Sequence, residues 1–153
     1  MRFRKLAWVL ATWFGTGRFP ATPGTIGSLA AFPIVYLTVW GGPWLIFEAA
    51  WVLLLIGVWA TVVIMKETYA PDPQYIVIDE VVGQLLTFMF VAQGQVSAGM
   101  MAAGFVLFRC CDILKPWPAC AFDRQHDAFG VMMDDVIAGL YAGGLLYILS
   151  RYI

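Results

Sequence analysis

From Trp44 to Met65 the chain is predominantly apolar and uncharged except for Glu48, entered through the turn signal Gly41-Gly42-Pro43 and left at Lys66. About 20 helical residues are needed to cross the hydrocarbon core of a bilayer, so length and composition make this run a membrane span. The rest of the chain agrees with it: 61% of the 153 residues are hydrophobic, 12% are charged and the mean hydropathy is +0.80. A soluble domain has about 45–50% and 25% of those two classes. The sequence therefore reads as an all-α integral membrane protein, a compact bundle of about five short-to-medium apolar helices plus an N-terminal interfacial helix.

Residues 1–153 contain no linker, charge run or internal repeat, and are expected to form a single membrane-embedded helical domain. A net charge of −1 with no basic patch interleaved with aromatics excludes nucleic acid as a partner. Cys110, Cys111 and Cys120 form no C-x-x-C pair and read as packing thiols. At the N-terminus Arg2, Arg4 and Lys5 precede the apolar stretch Leu6–Phe14. No A-x-A-like cleavage site follows, so the segment reads as a retained interfacial helix whose basic residues reach anionic headgroups of membrane lipids.

Three further apolar segments are bounded by their breakers: Ser28–Trp40, Val81–Phe108 and Val136–Ile148. The middle one is interrupted by Gln93-Gly94-Gln95 and Ser97, so it is one overlong helix or a hairpin of two. A single helix would hold its ends about 40 Å apart. A hairpin gathers nine of the ten acids and eight of the nine bases on one side and leaves only Glu48 and Arg151 near the other. The hairpin is therefore expected, with Gln93–Ser97 at its far tip. Because Lys and Arg concentrate on the cytoplasmic side, the charged face of a multi-pass inner-membrane protein is expected there. Segments of about 12–15 residues are short for full spans and are expected to penetrate partly or pack as a wedge. In the last segment Gly139, Gly143 and Gly144, with Ala138 and Ala142, form a small-residue face for close helix approach, compatible with a homo-oligomer.

Three acidic groups converge on the charged face: Asp79-Glu80, Asp112 within Arg109-x-x-Asp112-x-x-Lys115-Pro116, and Asp134-Asp135. A local account exists for each, since acids ahead of a helix cap its free N–H groups and complement its dipole. Yet a cap needs one carboxylate where two of these sites offer two, and Asp112 sits near a helix C-terminus, where the dipole disfavours it. Clustered carboxylate oxygens select a hard divalent cation such as Mg²⁺, which keeps waters and so leaves positions for phosphate. Zinc is disfavoured by a single His and no paired Cys. Arg109, Lys115 and Arg124 lie in the same stretch and suit phosphate oxygens. Arg18, in Gly15-Thr16-Gly17-Arg18, and Thr25 and Ser28, in Pro23-Gly24-Thr25-Ile26-Gly27-Ser28, belong to a Gly/Pro-rich loop that can cradle phosphate at a helix N-terminus. His126 is open to two readings, a general acid or base and a headgroup-level surface residue. Asp123 and Asp127 read most simply as solvated loop charges.

The blocks GTGRFPATPGTIGSLAAFP, VIDEVVGQLLTF, FRCCDILKPWP and FDRQHDAFGVMMDDVIAG, in this order from about Gly15 to Gly139, resemble the phosphatidylglycerophosphatase A family. The resemblance implies a Mg²⁺-dependent inner-membrane phosphatase that converts phosphatidylglycerophosphate to phosphatidylglycerol and inorganic phosphate. It implies Asp79, Glu80, Asp112, Asp134 and Asp135 as metal ligands and catalytic acids, with Lys115 in the D-x-x-K-P block and Thr25 and Ser28 in the P-G-T-x-G-S block. One departure is local: His126-Asp127-Ala128 stands where the family tends to carry H-G-G. Attack by water and attack by an aspartate both remain open, as does a count of one or two metal ions. The main alternative from another class is a small transporter or channel for a divalent cation or protons, since intramembrane acids also mark ion pathways. A non-catalytic assembly subunit would explain the small-residue faces but not the acids.

Overall fold

The structure, a computed structural model, describes residues 2–70, 73–91 and 96–152, and these form helices and connecting turns with no strand among them. The all-helical reading agrees with it. The expected tip residues Gln93, Gly94 and Gln95 lie outside the described residues.

Helix α1 runs Arg2–Ala11 and lays Ala7 and Ala11 against the long helix Pro43–Thr68, α4, where Trp8 Nε1 donates to Glu67 Oε2 at 3.2 Å and Arg4 lies 3.6 Å from the same carboxylate. It stops short of the Phe14 expected from sequence because Trp13 and Phe14 turn to positive φ, leading into a short 3₁₀ turn at Thr16–Arg18. The expected Ser28–Trp40 segment is two helices, α2 at Pro23–Ala30 and α3 at Phe32–Val39. Pro33 explains the break, since it lacks the N–H that would continue the ladder and crowds the preceding turn. Helix α4, Pro43–Thr68, has proline in its first turn and 26 residues, about 39 Å of rise. It buries Ala50, Leu54, Gly57, Ala60 and Ile64 and turns Trp44, Trp51, Leu55 and Trp59 outward. An outward face as apolar as the buried one suits lipid rather than water.

The Val81–Phe108 segment is not one rod: α5 ends at Thr87 and α6, Ala98–Leu114, starts with Ser97 capping Met100 N at 3.2 Å. At about 15 Å, α5 (Ile78–Thr87) could cover only half of a bilayer core, and nine of its ten residues are buried, so it is the axis of the molecule. Helix α8, Ala128–Leu149, packs against α5 more extensively than any other pair does. Glycines set that closeness: a Cβ on Gly139 would lie 2.3 Å from the Gly83 carbonyl oxygen, so the two backbones touch. Thr87 Oγ1 donates to Gly83 O at 3.0 Å and reaches Gly139 O at 3.5 Å, tying the crossing. Gly144 instead faces open space. The short α7, Ala119–Asp123, leans on α8. The helices α4 and α8 are long and apolar enough to cross a membrane.

Candidate functional site

The sequence placed Asp134-Asp135 at the start of the last helix, and the structure corrects this. The helix begins two turns earlier at Ala128, and its cap is Asp127, whose Oδ1 accepts from Gly130 N at 2.6 Å. Capping therefore accounts for Asp127 at the family's H-G-G position, and for neither Asp134 nor Asp135. Both are buried inside α8 on the side that meets the first turn of α5.

The hairpin brings the first turn of α5 and the last turns of α6 together, and α2, α7 and α8 close a cavity of about 470 Å³ around them. Asp79, Glu80, Asp112, Asp123, Asp134 and Asp135 line it, against Arg109 and Lys115 as its only Lys or Arg among the described residues. The backbone at Thr22–Thr25 forms one wall, with His126 at the rim on a left-handed φ of 49°. The approach of that wall requires glycine, since a Cβ on Gly24 would lie 2.2 Å from Glu80 Oε1 and 3.1 Å from Arg109 Nη1.

The acids divide by partner. Asp112 Oδ2 lies 2.6 Å from Arg109 Nη1, which is 4.0 Å from Glu80 Oε1. That nitrogen is buried, and its contact with Asp112 is a close ion pair rather than an aligned hydrogen bond. Asp134 Oδ2 accepts from Lys115 Nζ at 2.7 Å, and the same ammonium pairs with Asp123. Asp79, Glu80 and Asp135 remain, each offering an oxygen within 4.8 Å of the others. Glu80 Oε2 is buried with no hydrogen-bond partner. Three close carboxylates with an orphaned buried acceptor can hold a hard divalent cation. Asp112 and Asp134, expected beside them as ligands, are engaged by Arg109 and Lys115.

Burial pushes the Asp79 carboxyl well above the carboxylate range, with the neighbouring Glu80 charge adding to it. Burial also raises Glu80 to about 8, with the Asp135 and Asp112 charges adding and a hydrogen bond from Asp79 opposing. Burial alone would lower the Lys115 ammonium, but its hydrogen bonds to Asp123 and Asp134 carry it above the usual lysine value. Lys115 is thus a fixed cation at the end of α6, on a left-handed φ of 44°.

Of the candidates named from sequence, Asp79, Glu80, Asp112, Lys115, Asp134, Asp135, Thr25 and Arg109 share the cavity. Three do not. Ser28 is buried and its Oγ donates to Gly24 O at 2.8 Å within α2, Arg124 is exposed past the end of α7, and Arg18 stands over the Trp8 ring in a neighbouring groove. Asp123, expected from sequence to be a solvated loop charge, instead lines the cavity and pairs with Lys115, because the α7 turn aims it there. Its only signal was its place eight residues beyond Lys115.

The phosphatidylglycerophosphatase A family model matches residues 9–150. The phosphatidylglycerophosphatase A of Escherichia coli is 39% identical over 146 residues, covering 94% of this chain and 83% of that protein. A Bacteroides thetaiotaomicron protein described as "Putative phosphatidylinositol-3-phosphatase" is 34% identical over 139 residues, 88% of this chain and 87% of its own. The Haemophilus influenzae phosphatidylglycerophosphatase A is 37% identical over 138 residues, covering 88% and 82%. No solved structure matches.

Proposed function

The chain belongs to the phosphatidylglycerophosphatase A family, and on that premise we propose that it is a lipid phosphatase that hydrolyses the terminal phosphomonoester of phosphatidylglycerophosphate, leaving phosphatidylglycerol and inorganic phosphate. The observation that carries the reading is the set of three carboxylates, Asp79, Glu80 and Asp135, which among the described residues lack a basic partner at hydrogen-bond distance and line, close to one another, a cavity that Arg109 and Lys115 also enter. Six carboxylates would repel a phosphate dianion, so a phosphatase site of this composition needs an added cation, and oxygen-only ligands favour Mg²⁺. Asp79, Glu80 and Asp135 would hold it, and when bound it would shield the phosphate charge and lower the pKa of a bound water.

The protein's own contribution is placement. Arg109 stands beside the acids, within reach of a phosphate oxygen in the cavity, and the N-terminal turn of α2 at Gly24-Thr25, packed against Glu80 and Arg109, adds backbone N–H groups to the lining. Lys115 holds Asp134 in place and neutralises it, so Asp134 adds little repulsion. His126 at the rim would give a proton to the leaving alcohol oxygen. Phosphoryl transfer depends mainly on such positioning and charge balance. A cytoplasm-facing site in the bacterial inner membrane, with α4 and α8 as spans, fits this substrate.

The test is phosphate release from short-chain phosphatidylglycerophosphate in detergent, with Mg²⁺ and with EDTA, beside phosphatidate and phosphatidylinositol 3-phosphate. Mg²⁺-dependent release fastest with phosphatidylglycerophosphate is expected. Full turnover in EDTA would remove the metal from the mechanism, and preference for another lipid would reassign the substrate. Cation uptake into sealed vesicles without any phosphate release would favour the transporter reading.

A further inference from the structure

Beside the acidic cavity lies a second, open groove of about 380 Å³, whose lining includes Trp8, Gly17, Arg18, Phe19 and Tyr75. Pro23 and Gln74 line both, so the two hollows adjoin. They differ in charge: among the described residues, six carboxylates line the first, and Arg18 is the only charged residue lining the second. Arg18 makes no ion pair among the described residues; its guanidinium lies 5.6 Å from the centroid of Trp8, which stacks on Tyr75 at 5.2 Å. A guanidinium held over an aromatic face keeps its in-plane N–H donors for an anion.

The position of Arg18 relative to the acids is fixed by backbone. A Cβ on Gly17 would lie 2.1 Å from the Tyr75 carbonyl oxygen, so only glycine lets this turn seat on residues 75–77. Val77 N donates to Ala11 O at 2.9 Å, two residues before Asp79. The loop that carries Arg18 and the segment that delivers Asp79 and Glu80 are therefore one assembly.

We propose that this groove is a subsite for a phosphodiester, the inner phosphate of the lipid substrate, with Arg18 as its ligand. The inference rests on the phosphatase reading and extends it to specificity. The proposed substrate carries a terminal monoester and an inner diester joined by one glycerol. The monoester, a dianion, needs the cation of the first cavity, whereas the diester is a monoanion that one guanidinium can match bidentately. The diester also joins the headgroup to the acyl chains, and the exposed Phe19 lines the groove beside Arg18 where those chains would begin. An anionic lipid of the surrounding bilayer offers the same diester chemistry, so the experiment must separate the two sources.

Arg18→Gln keeps the reach and removes the charge, and Arg18→Lys keeps the charge without the fork. Both are compared with the unaltered protein in uncharged detergent, by kinetics on short-chain phosphatidylglycerophosphate and by equilibrium binding of short-chain phosphatidylglycerol, which retains only the diester. The expected result for Arg18→Gln is a KM about tenfold higher with kcat within about twofold, a comparable loss of phosphatidylglycerol affinity, and an intermediate Arg18→Lys. Unchanged KM and unchanged binding overturn the proposal. So does an effect confined to vesicles containing anionic lipid, which assigns Arg18 to the membrane surface. Arg18-dependent binding of phosphatidylglycerol by a protein that fails to hydrolyse phosphatidylglycerophosphate would leave the subsite standing and remove the phosphatase reading.

Discussion

Lys115 Nζ donates to Asp134 Oδ2 at 2.7 Å while also pairing with Asp123, so one ammonium joins the end of α6 to α7 and α8. Asp134 is buried and Lys115 is half-buried, and removing the lysine leaves a buried carboxylate without its donor. Lys115→Ala is expected to cost about 1–3 kcal/mol of stability, as for the loss of a charged hydrogen bond. It should also lower kcat about tenfold or more by freeing Asp134 to add its charge to the site. Lys115→Arg should recover part of both, because charge returns without the compact ammonium. If thermal stability falls but kcat at saturating substrate and Mg²⁺ stays at the unaltered level, Lys115 is only a helix-end cation.

The crossing of α5 and α8 gives a sharper structural test. Gly139→Ala would drive a methyl into the Gly83 carbonyl oxygen, and no flexible side chain is there to yield. Overpacking of this kind costs about 1–3 kcal/mol. The helices should separate, drawing Asp135 away from Asp79 and lowering turnover as well as Tm. Gly144→Ala on the same helix meets nothing within 4 Å and should keep or raise Tm, because alanine is the better helix former. Equal tolerance of both changes would show that the close crossing does not position the site.

Much of this arrangement was legible in the sequence because it is carried by spacing and breakers. The apolar run after Gly42-Pro43, the hairpin interruption and the glycines of the last segment each state a physical constraint that survives without coordinates. The start of α8 was not legible: apolar periodicity begins at Val136, whereas the capping hydrogen bond of Asp127 starts the helix at Ala128, eight residues earlier. Nor was the division of the acids, because pairing depends on which side chains the folded backbone brings within reach. Sequence proximity suggested that Arg109 and Lys115 act on phosphate, and the fold gives each an acid first. Ser28 shows the same limit, since a buried hydroxyl in a small helix bonds its own backbone.

Crowding of carboxylates predicts opposite effects on stability and activity. Asp79→Asn, Glu80→Gln and Asp135→Asn each remove one charge from a buried group of three. In EDTA each variant should melt several degrees above the unaltered protein, since like charges held from water destabilise the fold. Each should lose about 100-fold or more of its turnover, and added Mg²⁺ should raise Tm in the unaltered protein but little in the variants. A variant that melts lower in EDTA and still responds to Mg²⁺ would show that its carboxylate serves structure and not the cation.

Protonation should compete with the cation at the same oxygens. Glu80 is raised by burial from its usual 4.5 to about 8, and Asp79 is raised with it. Between those two values the folded protein binds more protons than the unfolded chain, so stability without metal falls as pH rises through the window. A bound cation replaces the proton and offsets the loss. In EDTA, Tm should therefore decline from about pH 5 to about pH 8, and the gain in Tm on adding Mg²⁺ should grow over that range. The Mg²⁺ concentration giving half-maximal turnover should fall in parallel. Glu80→Gln, which cannot titrate there, should show a flatter profile in EDTA. A Mg²⁺-induced gain in Tm that is the same at both ends of the range would mean that the cation binds away from Glu80 and Asp79.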